Sequence, residues 1–334
     1  MKWFVRFSKQ REFMIFLIVV SIFASMTFAS PYFLTGGNLL ALLLGLSIET
    51  IIAVAMTHLM VSGGFDMSVG SVVAFCGAAV AMMLKSGFPV VPAVLVSLAA
   101  GAGVGFFNGF IVSRIGINPF VTTLSSLSLF RGLTLIISKG QNIAGLPESF
   151  KAIGQSKLGV IQTPILIAAV LVVAGDVLLR RSRFFRQSYY IGGNEKAARL
   201  SGIPVDSMKL LAYVLTGLFA GAAGIVMTSR LGAASVTAGT GLELRVITAV
   251  IIGGASLQGG EGTVVGAFLG SLLMALITNA LTLLGVDVYW QTFVIGGTLL
   301  VAVLIDRVGK LRKERLVLSR GTPPRKETEQ RKAS

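Results

Sequence analysis

Glu49 and His58 stand nine residues apart in one long apolar segment, the only histidine of the chain below a mid-segment carboxylate. Arg131, Asp176, Glu243 and Arg245 are further ionisable groups inside or bordering apolar segments. A charge near the centre of a bilayer costs at least ~2.5–3.5 kcal/mol on insertion scales, so each of these groups asks for a reason. A proton relay is the chemistry that an acid and an imidazole suggest. On a helix, nine residues separate the pair by about 14 Å, too far for direct transfer, and this favours structural or pathway-lining roles. The single histidine and the scattered acids supply no metal-ligand set and no activated nucleophile. The one Gly-Lys pair, Gly309-Lys310, is followed by Leu311 and lacks the glycine of a phosphate-binding loop five residues upstream. The chain is therefore expected to be no enzyme, to bind no metal and no cofactor, and to leave any ATP or magnesium to another polypeptide.

The elements that position these groups are apolar helices. Hydrophobic residues make up 54% of the 334 and charged residues only 13%, against about a quarter in average soluble domains. Ten apolar runs, at 13–29, 39–61, 69–84, 90–112, 120–137, 160–179, 210–228, 243–257, 263–284 and 288–306, predict an all-α polytopic membrane protein. Most approach the ~17–25 residues that cross about 30 Å of hydrocarbon. The runs at 69–84 and 243–257 are short and read as spans that borrow flanking residues or as broken helices.

The formal net charge of +15 is confined: of 29 Lys and Arg residues, four lie in 1–11, seven in 180–209 and ten in 307–334. Under the positive-inside rule all three segments face the cytoplasm, and ten spans return both termini there. No aromatic-and-basic interleaving accompanies the charge, which argues against a nucleic-acid partner. The basic start followed by an apolar stretch resembles a secretory signal, but serves equally as a retained first helix. Residues 1–308 form one membrane domain, and the charged, Pro-containing tail within 309–334 is expected to be disordered. Cys76 lies in an apolar run, where it fills core space. Segments "AAGAGVGFFNG" (99–109) and "GLFAGAAG" (217–224) carry small residues at the spacing that brings helices together. Loop 138–159 is long enough for a small lid or a partner-contact surface. Segments 62–75, "SGGFDMSVGSVVAF", and 252–268, "IGGASLQGGEGTVVGAF", look alike and raise the possibility of an internal repeat.

Segment 192–204, "GGNEKAARLSGIP", is the polar exception, and it carries every end signal of one small helix. Gly192 and Gly193 break what precedes. Asn194 is a good N-cap, and Glu195 meets the positive end of the helix dipole. Glu195 and Arg199 form an i,i+4 pair in the favoured order, with Ala197, Ala198 and Leu200 as helix formers. Gly202 suits the left-handed position after the helix, and Pro204 prevents continuation. Two turns do not hold alone in water, so this element docks against something.

"IGGNEKAARLSGIPVDSMKLLAYVLTGLFAGAAGIV", "SGGFDMSVGSVVAF", "NPFVTTL", "TAGTGLELRVITAVIIGGASLQGGEGTVVGAFLGSLL" and "NALTLLGVDVYWQTFVIGGTLLVAVLIDR" resemble permease subunits of the ribose-type ABC sugar importers. The likeness runs over about 38–308. It implies a translocation subunit of a bacterial inner-membrane importer for a monosaccharide-like solute, working with cytoplasmic ABC ATPases, a periplasmic sugar-binding protein and a second permease, identical or related, among membrane lipids. It further implies that loop 180–209 holds a coupling helix seated on the ATPase, through Asn194, Glu195, Ala198, Arg199, Leu200 and Gly202. Candidate pathway residues are Glu49, Asp66, Ser68, Asn118, Thr122 and Thr123; Asp66 stands at a helix start, where it also serves as a cap. Arg245 occupies a place where the family pattern leads one to expect an acidic or neutral residue, and its partner is open between Glu243 and Glu261. The competing expectation is an ion-coupled carrier that acts alone through Glu49, His58 or Asp66.

Overall fold

The computed structural model describes residues 11–321. It is all-α: thirteen helices and two minimal strand pairs among the described residues. The apolar runs of the sequence return as α1 (Arg11–Ala29), α2 (Gly36–Val61), α3 (Val69–Lys85), α4 (Val90–Phe110) and α5 (Pro119–Ser138). After the short α6 (Glu148–Gln155) come α7 (Thr163–Arg181), the polar pair α8 (Arg183–Gly193) and α9 (Glu195–Leu200), and then α10 (Val205–Leu231). The chain closes with α11 (Leu242–Ile252), α12 (Val264–Leu283) and α13 (Val288–Gly321). Seven of these, α1, α2, α4, α5, α7, α10 and α12, are long and apolar enough to cross a bilayer. The last helix runs past residue 308, where the tail was expected to begin, to Gly321; residues 322–334 of that tail and 1–10 lie outside the described residues.

α2 is the axis of the bundle, with every residue from Leu46 to Val61 buried. Its Ile51, Ile52, Met56, Leu59 and Met60 form one core with Val69, Val72 and Val73 of α3, Tyr213 and Ala220 of α10, and Val246 and Val250 of α11. Lipid tails are as apolar as leucine, so helices in a membrane are held by close packing and polar contacts rather than by a hydrophobic drive. The two glycine-rich segments of the sequence supply that packing against each other. A β-carbon placed on Gly101 would meet Gly217 O at 2.7 Å and Cys76 Sγ at 3.2 Å, and one on Gly105 would meet Val214 Cα at 2.9 Å. α4 and α10 thus touch backbone to backbone, with α3 closing the third side through Cys76, whose carbonyl accepts a 2.7 Å bond from Ser97 Oγ. Asn38 and Asn279 exchange side-chain amide bonds (3.2 and 2.7 Å) to join α2 to α12.

One end of the bundle, the basic end, carries segment 180–209 and the start of α1. Arg180, near the end of α7, bonds Asp176 at 2.9 Å and Glu12 of α1 at 3.3 Å, and Glu12 also accepts a 2.5 Å bond from Thr263, the N-cap of α12. At the opposite end, loop 138–159 is a folded cap rather than an open lid. Ile143–Ala144 pairs with Ala233–Ala234, and Lys157–Leu158 pairs with Ile161–Gln162. α6 lies on the end of α10, where Ser229 Oγ accepts from Gly154 N (2.8 Å) and donates to Phe150 O (2.6 Å).

Candidate functional site

Loop 180–209 contains two helices, and the sequence signals had disclosed only the second. Gly192 and Gly193 end what precedes, as their residue type suggests: they are the last residues of the amphipathic α8. Gly192 is small because backbone passes over it. A β-carbon there would lie 2.9 Å from Gly259 C, and one on Gly259 would lie 2.7 Å from Gly192 Cα and 2.9 Å from Gly63 Cα. The turns after α2 and α11 therefore meet on the end of α8, and Gly260 N donates to Val61 O at 2.9 Å across the same contact. These two turns belong to the look-alike segments 62–75 and 252–268, each joining one apolar helix to the next. Tyr189 Oη donates to Gly262 O at 2.7 Å, and the Phe185 ring stands edge-on to His58 at 5.1 Å. α8 is thereby fixed to α2 and to the start of α12.

α9 is built as its residues dictate. Asn194 Oδ1 accepts from Ala197 N at 3.0 Å, and Gly202 takes the left-handed conformation (φ +80°) that a residue with a β-carbon resists. Ala198 is buried with Ile191 of α8 and Val205 and Met208 of α10, which supplies the docking that two turns require. Glu195 bonds Lys209 at 2.6 Å and Arg199 at 2.9 Å, and Arg199 also bonds Asp206. The Lys209 ammonium, then the Arg199 guanidinium, hold the Glu195 carboxyl below the usual carboxylate range. The Asp206 and Glu195 carboxylates push the Arg199 guanidinium above its ordinary value. Leu200 is 91% exposed, an apolar side chain on the outer face of a helix whose inner face is bolted down.

The pathway candidates fall into three places. Asp66 and Ser68 join a buried network: Asp66 Oδ1 accepts from Ser68 N (2.7 Å) and Ser68 Oγ (2.6 Å), and Asn108 Nδ2 reaches Ser68 Oγ (2.9 Å) and Asp66 Oδ2 (3.2 Å). Ser126 donates to Asn108 Oδ1 and ties in α5. Asp66 thus organises the turn before α3 by holding Ser68 two residues on, while no side chain caps α3 itself. Asn108 and Ser126 were not singled out from the sequence, although a buried Asn inside an apolar run is a signal that a partner is near. Thr122 and Thr123 are buried on α5, Thr123 bonding back to Pro119 O at 2.8 Å, whereas Asn118 is exposed and caps α5 through Phe120 N (2.8 Å). Glu49 pairs with Arg245 Nη1 at 3.5 Å, so the partner of Arg245 is neither Glu243 nor Glu261. Arg131 donates to Val236 O and Ala238 O (3.0 and 2.9 Å) and holds the loop before α11. His58 faces Phe185, and neither ring nitrogen has a hydrogen-bond partner among the described residues. Glu49 and His58 thus serve separate neighbourhoods.

Replacing Asp66→Ala strands Ser68 N and weakens both Asn108 contacts in a buried site. Each orphaned group costs about 1–3 kcal/mol, so the expected result is a clear loss of thermal stability in detergent, larger than for Asn118→Ala at the exposed cap. A fluorescence melt of both variants checks it.

Residues 38–303 match the family described as "Branched-chain amino acid transport system / permease component". The chain belongs to that permease family. The permease is 38% identical to the ribose import permease protein RbsC of Escherichia coli K12 over 302 residues, 89% of this chain and 93% of RbsC. It is 41% identical over 295 residues to RbsC of Bacillus subtilis strain 168, covering 88% and 90%. It is 34% identical over 301 residues to the D-allose transport system permease protein AlsC of Escherichia coli K12, covering 90% and 92%. No solved structure matches the permease.

Proposed function

We propose that this permease is the membrane-spanning subunit of an ABC importer that carries a monosaccharide-like solute into the cytoplasm. The observation that carries the proposal is the near full-length likeness to permeases named for ribose and allose import. Separate ATPase chains supply the energy, and a periplasmic sugar-binding protein delivers cargo to the capped end that holds loop 138–159. Two permease copies, identical or paired with a relative, enclose the path in a bacterial inner membrane. The excess of Lys and Arg in 1–11, 180–209 and 307–334 supports a cytoplasmic location for the basic end and for both termini.

α9 is the part that receives the ATPase. It is anchored through Ala198 and Lys209 on one side and presents Leu200 and the polar edge of Glu195 and Arg199 on the other. α8 carries any displacement of α9 to the turns after α2 and α11. An ATPase that grips α9 differently in its two nucleotide states shifts the inward/outward equilibrium by that difference in contact energy.

The test is uptake into vesicles holding the permease with its ATPase and binding protein. Labelled ribose or allose should enter only with ATP inside and all three components present, and a protonophore should leave the rate unchanged. Uptake by the permease alone that collapses with the proton gradient would establish the ion-coupled carrier instead. The separation of Glu49 from His58 by different partners weighs against that second outcome.

A further inference from the structure

α11 begins where an ordinary span would not. α10 ends at Leu231 beside the cap, opposite the basic end, and loop 232–241 carries the chain inward to Leu242. α11 has only eleven residues, about 16 Å, and finishes in the turn that packs on Gly63 and Gly192 at the basic end. Its first turn therefore lies near mid-depth. Arg245 gives the same depth independently, because it pairs with Glu49 at the centre of the 26-residue α2, roughly 20 Å from either end. Gly241, the N-cap of α11, has no side chain; Leu242 N donates to Gly239 O (3.1 Å), Arg245 N to Gly241 O (3.2 Å), and Glu243 stands in the first turn.

The charges around this half-helix are not used up. The Glu49 side chain is nine-tenths buried, and its Oε2 has no hydrogen-bond partner; neither has Thr50 Oγ1 beside it. Arg245 reaches Glu49 through one nitrogen, and a third of its side chain is exposed. A guanidinium exposed at that depth faces water or protein, since hydrocarbon penalises it. Thr240, just ahead of the helix, is exposed as well.

We propose that Glu49, Arg245 and the first turn of α11 form a solute-binding station at the centre of the permease, suited to a neutral polyhydroxylated molecule. The pair has no net charge, so neither a cation nor an anion gains from it. Glu49 Oε2 accepts from a hydroxyl, while the guanidinium fork donates to hydroxyl or ring oxygens. Adjacent hydroxyls of one sugar satisfy both demands together. The station rests on the transport role proposed above and adds which groups touch the cargo.

Thr240→Cys in a Cys76→Ala background places one accessible thiol at the station, because Cys76 is the only cysteine of the chain and is buried. The full-length permease in vesicles is treated with a membrane-impermeant methanethiosulfonate, with and without tens of millimolar ribose, allose or arabinose. The thiol should label, and at least one sugar should slow labelling threefold or more. Glu49→Gln, Arg245→Gln and the charge-balanced double variant should each abolish this protection while leaving the sugar-free labelling rate within twofold. Absence of labelling, labelling that no sugar slows, or protection that survives the double variant would overturn the station. ATP-driven uptake measured on the unmutated assembly separates the cases: if it persists without protection, the transport role stands and only the station falls.

Discussion

Glu195→Lys is expected to lower ATP-driven uptake at least tenfold while the protein remains folded in the membrane. The substitution replaces two ion pairs by repulsion, setting a new ammonium against Lys209 and Arg199. It also puts a cation at the positive end of the α9 dipole. Exposed pairs are worth only about 0.2–1 kcal/mol each, and the dipole term about 0.3–1 kcal/mol, so the change amounts to roughly 2 kcal/mol. For a buried span that would be tolerable. For a six-residue helix with no stability of its own, it shifts the folded population by more than tenfold. Glu195→Lys combined with Lys209→Glu restores one pair and should recover most of the uptake. Circular dichroism and gel filtration of the variants separate a local loss from a global one. Unchanged uptake by the single variant would remove the coupling role of α9.

Gly217→Leu should be among the most disruptive single changes in the membrane part. A β-carbon at this position sits 2.7 Å from Gly105 N and 2.9 Å from Gly105 Cα, and backbone cannot rotate out of the way as a side chain can. The α4–α10 seam must open, which also loosens the packing of Cys76 between Gly101 and Gly221. Overpacking costs typically about 1–3 kcal/mol and more where backbone is forced apart. A melting temperature lower by roughly 10 °C, or aggregation in detergent, is the expected outcome. Gly103→Leu is the control, since it lies on α4, the helix across the seam, with open space where its β-carbon would be. Equal effects of the two substitutions would contradict the seam.

The glycine seam shows where sequence reasoning reached and where it stopped. Spacing marked 99–109 and 217–224 as segments that approach other helices, because small residues at three- and four-residue intervals share a helix face. It did not say that they approach each other, since nothing local names a partner across more than a hundred residues. Gly192 shows the same limit: as a helix breaker it marked the end of what precedes, and α8 does end at Gly193, but only the packed turns carrying Gly63 and Gly259 show why its Cα must be bare. The charges behave likewise: Glu49 and Arg245 were conspicuous one at a time, and their pairing depends on where α11 enters the bundle.

What the sequence determined by itself is what local physics decides. Apolar length set the helices, and end signals from Asn194 to Pro204 set α9 almost residue by residue. What only the tertiary structure decided is adjacency: α8 clamped between two turns, Asn108 and Ser126 completing the Asp66 network, and a half-helix delivering Arg245 to Glu49 at mid-depth. Periodicity and capping act over a few residues and are written in the order of the chain. Contacts between distant segments depend on the summed packing of every helix, and no short stretch contains that sum.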